Sequence, residues 1–245
     1  MRKRILIMTI LIGGLFIKEA LSLDLQQLIE EAKARQRRFE KTTKDLAILQ
    51  EATTFFSAKE IISEIRLFKK GKRWRLESVV VKPMEKKTVL INDGKNIWMV
   101  TSLGKRKLSE KESKGIQIEV NWWEIITGEA KIMGTERLEG KECYMVGMKE
   151  KGNLIMMWID KDDLVLIKTE TRQGEDKSLV EYSDFRKVGS SWKMPYRTTI
   201  SQNNEVISTV TTKSIEINKG LPNKLFDPNK EKDPKMLDLL KEVFE

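Results

Sequence analysis

The spacing of apolar positions divides the chain into a helical opening and a long β remainder. Leu25, Leu28, Ile29 and Ala32 recur at the spacing of one helical face, which predicts an amphipathic helix from Leu25 to about Lys41 with Phe39 near its end. Asp24 and Gln27, three residues apart, make a capping-box start. From Lys44 onward the period drops to two. Asp45 to Phe55 opens a sheet. In Glu60 to Phe68, Ile61, Ile65 and Leu67 share one face and Glu64 and Arg66 the other. After a turn at Lys69-Lys70-Gly71-Lys72, Arg73, Arg75 and Glu77 alternate with Trp74, Leu76 and Ser78. One apolar and one charged face predict that the outside of the sheet meets water here.

The next hairpin is different. Val89-Leu90-Ile91 and Ile97-Trp98-Met99-Val100 flank Asn92-Asp93-Gly94-Lys95, and an Asp-Gly pair between β-prone runs predicts a type I′ turn with positive φ at Gly94. Both runs are apolar on both faces. Something must cover the second face, either a helix of the same chain or an apolar ligand. Lys105 to Leu108 follows. Residues 109–120 are polar, and Asn121-Trp122-Trp123-Glu124 predicts a cap and a short helix ending at Gly128. Adjacent tryptophans on a helix point about 100° apart, so both do not easily enter one core.

Glu142 to Met148, Leu154 to Ile159 and Leu164 to Thr171 read as three further strands, with turns at Gly152-Asn153 and Asp160-Lys161-Asp162-Asp163. Leu154 to Ile159 is again apolar on both faces. Leu179 to Val188, Trp192 to Ser201 and Glu205 to Ile217 complete the sheet. Trp192, Met194, Tyr196, Thr198 and Ile200 alternate with polar neighbours, and Pro195 suggests an edge or a bulge. Gly220 to Lys230 is a loop. Asp233-Pro234 caps a final helix carrying Leu237, Leu240 and Phe244. The fold class is therefore mainly β: a strongly curved antiparallel sheet or incomplete barrel of about eleven strands, with an N-terminal helix, a short inserted helix and a C-terminal helix.

The first residues change the picture of where this sheet works. Arg2-Lys3-Arg4, the apolar run Ile5 to Ile17 and the small residues of Ala20-Leu21-Ser22 have the pattern of a secretory signal peptide cleaved after Ser22. An uncleaved signal anchor is the rival. The expected organisation is a leader at 1–22 and a single domain at 23–245, with 230–245 as a helical extension, placed in the periplasm. No cysteine stands near residue 22, so the chain is not itself a lipoprotein. Loss of Arg2, Lys3, Arg4, Lys18 and Glu19 with the leader lowers the net charge from +9 to about +6. Lysines and glutamates are interspersed along the chain, as on a solvated, ion-paired surface, and make no clustered nucleic-acid footprint.

The chain of 245 residues contains no histidine and one cysteine. A Ser-His-Asp triad or an ordinary zinc site cannot be built. Cys143, in a strand with Tyr144, Met145 and Val146, reads as a small buried hydrophobe and has no disulfide partner. Asp160, Asp162 and Asp163 lack the glycine and terminal glutamate of a calcium loop and are better explained by a turn. No catalytic residue, metal site or cofactor is expected.

What remains is an excess of methionine and tryptophan. Methionine suits surfaces that accept variable apolar shapes, though most such residues fill cores. An apolar cavity is the alternative, with Trp98, Met99, Met145, Met156, Trp158, Ile61 and Ile65 as candidate lining and the Trp122-Trp123 helix closing its mouth. Alternation leaves open which of two neighbouring strand residues points inward.

Order and local pattern together resemble the LolA-type outer-membrane lipoprotein carriers and their relatives. The residues that carry the resemblance are Asp93-Gly94-Lys95 with Trp98, Trp158-Ile159-Asp160-Lys161, Tyr182-Ser183-Asp184-Phe185-Arg186-Lys187-Val188, Lys193-Met194-Pro195 and Leu221 to Pro228. Met99-Val100-Thr101 stands where the family often has Tyr-Asp-Pro. The resemblance implies an open β-barrel closed by helices, whose cavity shields acyl chains of lipoproteins or lipids crossing the periplasm. Its partners would be an inner-membrane donor and an outer-membrane acceptor. An envelope-stress sensor or a structural adaptor of the same fold is an alternative, and an envelope hydrolase a remoter one.

Overall fold

The computed structural model describes residues 24–231, except 58, 84–85, 115, 117, 119–120, 128 and 190–191. The leader and the C-terminal helix expected from the sequence lie outside the described residues. Helix α1 (Leu25–Thr42) leads into β1 (Leu46–Phe56), β2 (Lys59–Lys70), β3 (Arg73–Lys82), β4 (Lys86–Asn92), β5 (Ile97–Thr101) and β6 (Gly104–Lys107). Two short helices, α2 (Glu110–Lys114) and α3 (Trp122–Ile125), separate these from β7 (Lys131–Leu138), β8 (Lys141–Glu150), β9 (Asn153–Asp160), β10 (Leu166–Gln173), β11 (Asp176–Val188), β12 (Trp192–Gln202) and β13 (Glu205–Ile217). A 3-10 turn spans Asn223–Phe226.

All strands join one antiparallel sheet in the order β6-β5-β4-β3-β2-β1-β13-β12-β11-β10-β9-β8-β7. Two meanders meet where β1 pairs with β13, Leu46 opposite Ile217 and Ile48 opposite Ile215. The sheet is not closed; β6 and β7 are its edges. Thirteen strands replace the expected eleven or so. β7 has no counterpart among the expected strands; its sequence breaks its alternation at Gly134, a residue with φ +148° at a register shift opposite Met145.

Helix α1 lies on the inner face of the β7–β10 half. Leu28 and Ala32 pack with Val146, Met148, Ile155, Met157 and Ile159 in the largest core cluster, which Trp122 and Leu164 join. The apolar stripe of the helix is therefore spent on the sheet. Its cap differs from expectation: Asp24 sits at the N-cap without a side-chain hydrogen bond. At α3 the expected contact forms, and Glu124 accepts a hydrogen bond from the Asn121 backbone N–H at 3.2 Å.

The Asp93-Gly94 turn is a four-residue loop and not a two-residue type I′ turn, because the ladder closes at Asn92 opposite Ile97. Gly94 has φ +98° as expected. The Asp93 carboxylate organises the loop, accepting hydrogen bonds from the Lys95 and Asn96 N–H groups and from the Trp98 indole, each at 2.8 Å. Burial alone would raise its pKa, but these hydrogen bonds outweigh burial and hold the carboxyl below the usual value. Pro195 sits inside the sheet, yet it breaks no ladder on one side, since β12 pairs with β13 only from Arg197 onward. Across from it stands Phe185, and the preceding residue on β11, Asp184, has φ +52° and is skipped in the register.

The outer face meets water at Glu64 and Arg66 of β2 but not at the charged positions of β3. Arg75 and Glu77 are fully buried beneath residues 221–231, which fold back across β1–β4. Leu221, Leu225 and Phe226 pack on Ala47 and Phe68, and Arg75 donates to the Leu225 carbonyl and the Glu231 carboxylate. The charge alternation of β3 is a buried ion cluster because a distant segment covers it.

A candidate apolar cavity on the inner face

Between the C-terminal half of α1 and the inner face of the sheet lies a cavity of about 620 Å³. That is within the ~300–1,000 Å³ typical of ligand pockets. Phe39 comes from α1, Leu46 and Ile48 from the start of β1, and Leu67 from the end of β2. Trp192 and Met194 come from β12, Tyr182 and Phe185 from β11, and Leu164, Val165 and Leu166 from the β9–β10 turn. Ile118, Trp122 and Trp123 close it from the segment between the meanders.

These walls follow from register. Directly opposed residues on antiparallel strands share a face. Ile48 opposite Leu67 and Ile215 therefore forms a continuous apolar row across three strands. Phe39 stacks on Trp192 with ring centroids 5.9 Å apart, which pins the end of α1 to β12. The Trp122 indole N–H donates to the Leu164 carbonyl at 3.0 Å, so α3 is tied to the β9–β10 turn. Trp122 is buried in the core cluster, and Trp123 meets it edge-on at 5.4 Å and packs against the same cluster. Their 100° separation is accommodated by one ring entering and the other lying across it.

Polar side chains, among them Gln36, Glu40, Lys44, Asp45, Gln50 and Lys193, also border the cavity, and several are matched. The Asp45 carboxylate accepts hydrogen bonds from the backbone N–H groups of Lys219, Gly220 and Leu221. Lys193 pairs with Asp163 at 2.5 Å. Burial pushes the Tyr182 hydroxyl up, so the phenol stays neutral through physiological pH. The Thr43 hydroxyl oxygen is buried at the cavity with no hydrogen-bond partner among the described residues. A smaller hollow of about 300 Å³ adjoins, sharing Tyr182, Phe185 and Lys193.

The structure brings only part of the expected lining together. Trp122 and Trp123 border the cavity. Met145, Met156 and Trp158 lie on the opposite face of the sheet. Trp158 opposes Met145 and Lys168, while its neighbour Met157 opposes Val146 beneath α1. The Trp158 indole donates to Glu136 at 2.6 Å, and the ring packs with Cys143 and Ile167. Trp98 is also on the outer face, with Val89, Ile91 and Val100, and the Lys105 ammonium sits 5.4 Å from its ring centre. Met99, Ile61 and Ile65 share the inner face but stand outside the cavity, which ends at β2 near Leu67. Phe39, Leu46, Ile48, Leu164 to Leu166 and Phe185 were missed as lining. The signal for Leu67 and Met194 was present in the clean alternation of their strands.

Elsewhere the chemistry is spare. Asp160 accepts hydrogen bonds from the Asp162 and Asp163 N–H groups, which holds the β9–β10 turn. Among the described residues no cluster of metal-ligating side chains occurs. Cys143 is buried, and burial pushes its thiol up, away from the reactive thiolate.

Comparison with known proteins agrees on architecture. A domain described as an outer membrane lipoprotein-sorting protein from Vibrio parahaemolyticus superposes with a TM-score of 0.58 at 12% identity, over 83% of this chain and 96% of that one. A DUF1329 family protein from Desulfovibrio piger gives 0.56 at 13% identity, over 82% and 98%. A LolA superfamily protein from Nitrosomonas europaea gives 0.51 at 15%, over 85% and 99%. A family model with the description "Uncharacterized protein" matches residues 126–230. No curated protein matches the chain. The protein has a LolA-like fold: an open antiparallel β-sheet curved around an N-terminal helix.

Proposed function

We propose that the protein is a periplasmic carrier that holds acyl chains of lipids or lipoproteins in the cavity between α1 and the sheet. The observation that carries this reading is the cavity itself. Its volume of about 620 Å³ is bounded mainly by apolar surface, to which Phe39, Leu46, Ile48, Leu67, Phe185, Trp192 and Met194 contribute. Each methylene moved from water into such a space contributes about 0.8 kcal/mol. A chain of a dozen carbons thus has on the order of 10 kcal/mol of gross driving force to offset ordering costs. The likeness to a lipoprotein-sorting domain supports the same cargo class. Binding without chemistry suits a chain with no histidine and a buried thiol of raised pKa.

The signal-peptide pattern of residues 1–22 supports export, and among the described residues no helix is long and apolar enough to cross a membrane. In this reading residues 23–245 act as one carrier unit between an inner-membrane donor and an outer-membrane acceptor. The test is mass spectrometry of lipid extracted from the purified protein, followed by titration of delipidated protein with a fluorescent fatty acid. Met194→Trp, which fills the cavity from β12, should weaken that binding at least tenfold while the fold persists. Absence of extracted lipid together with equal affinity in wild type and Met194→Trp would sink the carrier reading.

A further inference from the structure

The β1–β2 hairpin parts from the rest of the sheet at its tip. β1 pairs with β13 only as far as Thr54 opposite Ser208, and β2 with β3 only as far as Ile62 opposite Lys82. The two strands continue together to Phe55 opposite Glu60 and Phe56 opposite Lys59. Among the described residues these last rungs have no sheet neighbour on either side. Phe55 is 47% exposed and Phe56 69%. Successive strand residues face opposite ways, so the rings stand on both sides of a two-stranded tip. Val81 and Val206, 54% and 47% exposed, lie on the flanking strands at its base. Lys59, Lys82 and Lys86 are exposed around it and make no ion pair among the described residues, with Glu60 the opposing charge on the tip.

We propose that this tip docks the protein on an anionic phospholipid bilayer. A groove on another protein covers one side of a ribbon, whereas two rings on opposite sides are both removed from water only by a medium that surrounds the tip. The interfacial zone of a bilayer does so to a depth of about 5–10 Å. Two strand rungs at ~3.4 Å each span about 7 Å, which matches that depth. Deeper entry is barred because the open backbone edges of the tip would lose their water. Lys82 and Lys86, about 10 Å behind the tip, then lie at the level of the headgroup phosphates, and Lys59, on the Phe56 rung, reaches that level with its long side chain, so all three are drawn to a negative surface. The tip lies at the other end of β1 from the cavity, since Gln50, the cavity residue of β1 nearest to it, is six residues, or about 20 Å, from Phe56. Docking is therefore a separate property from cargo binding and does not rest on it.

The experiment is vesicle flotation of the protein with bilayers of phosphatidylethanolamine and phosphatidylglycerol, against phosphatidylcholine alone. Wild type should float with the anionic vesicles and at least several-fold less with the neutral ones. Phe55→Ser/Phe56→Ser should lower binding at least tenfold with an unchanged melting temperature and unchanged fatty-acid affinity. Lys59→Glu should weaken it several-fold at low salt and less at high salt, as screening requires. All variants share one N-terminus, so any difference belongs to the tip. If the double variant melts early, Phe56→Ser alone must still weaken binding several-fold at the wild-type melting temperature, or the proposal fails. It also fails if wild type ignores every vesicle, or if the double variant floats like wild type. A concentration-dependent dimer that the double variant abolishes, without vesicle binding, would overturn it in favour of self-association. Loss of fatty-acid binding with flotation intact would count against the carrier reading alone.

Discussion

Replacing Arg75 with methionine tests the claim that residues 221–231 are clamped onto the sheet by buried charge. Arg75 is fully buried and hydrogen-bonds Glu77 at 2.6 Å, the Leu225 carbonyl at 3.3 Å and Glu231 at 2.5 Å. Removing one partner of a buried pair costs about 3–5 kcal/mol, mainly because the remaining ion stays buried. Here the lower end applies. Glu77 keeps Lys87 at 3.7 Å and Arg66 at 3.8 Å, and Glu231 keeps Lys87 at 3.2 Å. A loss of about 3 kcal/mol corresponds to a fall of roughly 6–12 °C in melting temperature for a domain of this size. Arg75→Met/Glu77→Leu should recover much of that loss, since no unpaired carboxylate is left at position 77. Urea unfolding of both variants gives the energies, and hydrogen exchange across 221–231 reports whether the segment lifts. Arg186→Met is the control: its partner Asp184 is equally exposed, and melting should not change measurably. An Arg75→Met protein within about 1 kcal/mol of wild type, or a double variant weaker than the single, would refute the clamp.

Three further outcomes follow from named contacts. Met157→Gln places an amide beneath α1 and should cost about 2–7 kcal/mol, whereas Met156→Gln on the outer face should leave both melting and fatty-acid affinity near wild type; equal effects would mean the register of β9 is wrong. Gly94→Val forces a β-branched residue to φ +98° and should cost about 1–3 kcal/mol in thermal unfolding. Asp93 has a folded pKa below its unfolded value of about 4, so its contribution is complete above that pH and is lost as pH falls through the folded value. Asp93→Asn should therefore lower the melting temperature at pH 7 and flatten its decline below about pH 4; an unchanged acid limb would show that the carboxylate does not organise the turn.

Local pattern was enough for most elements. The helical face Leu25, Leu28, Ile29 and Ala32 and the alternation of Trp192, Met194, Tyr196 and Ile200 specify a helix and a strand without reference to anything distant, because each period belongs to one backbone geometry. The positive φ of Gly94 was legible for the same reason, although the turn is longer than a bare Asp-Gly pair requires. β7 was not, since Gly134 and the shifted register at Ile132 erase its alternation.

What faces what is a different matter. β9 is apolar on both sides, so a period of two is equally satisfied with Met156 and Trp158 inside or with Met157 and Ile159 inside. The docking of α1 on one face made the choice. The charged positions of β3 read as solvent-facing until Leu225, 150 residues away, is brought over Arg75. Long-range burial of this kind leaves no local trace, because the covering segment and the covered strand carry separate and individually ordinary patterns. The cavity has the same origin: its walls come from α1, both meanders and the segment between them, and its limits are set by how the sheet curves around the helix. The sequence by itself determined a β protein with an amphipathic helix and apolar excess; packing decided which apolar residues became core and which were left facing space.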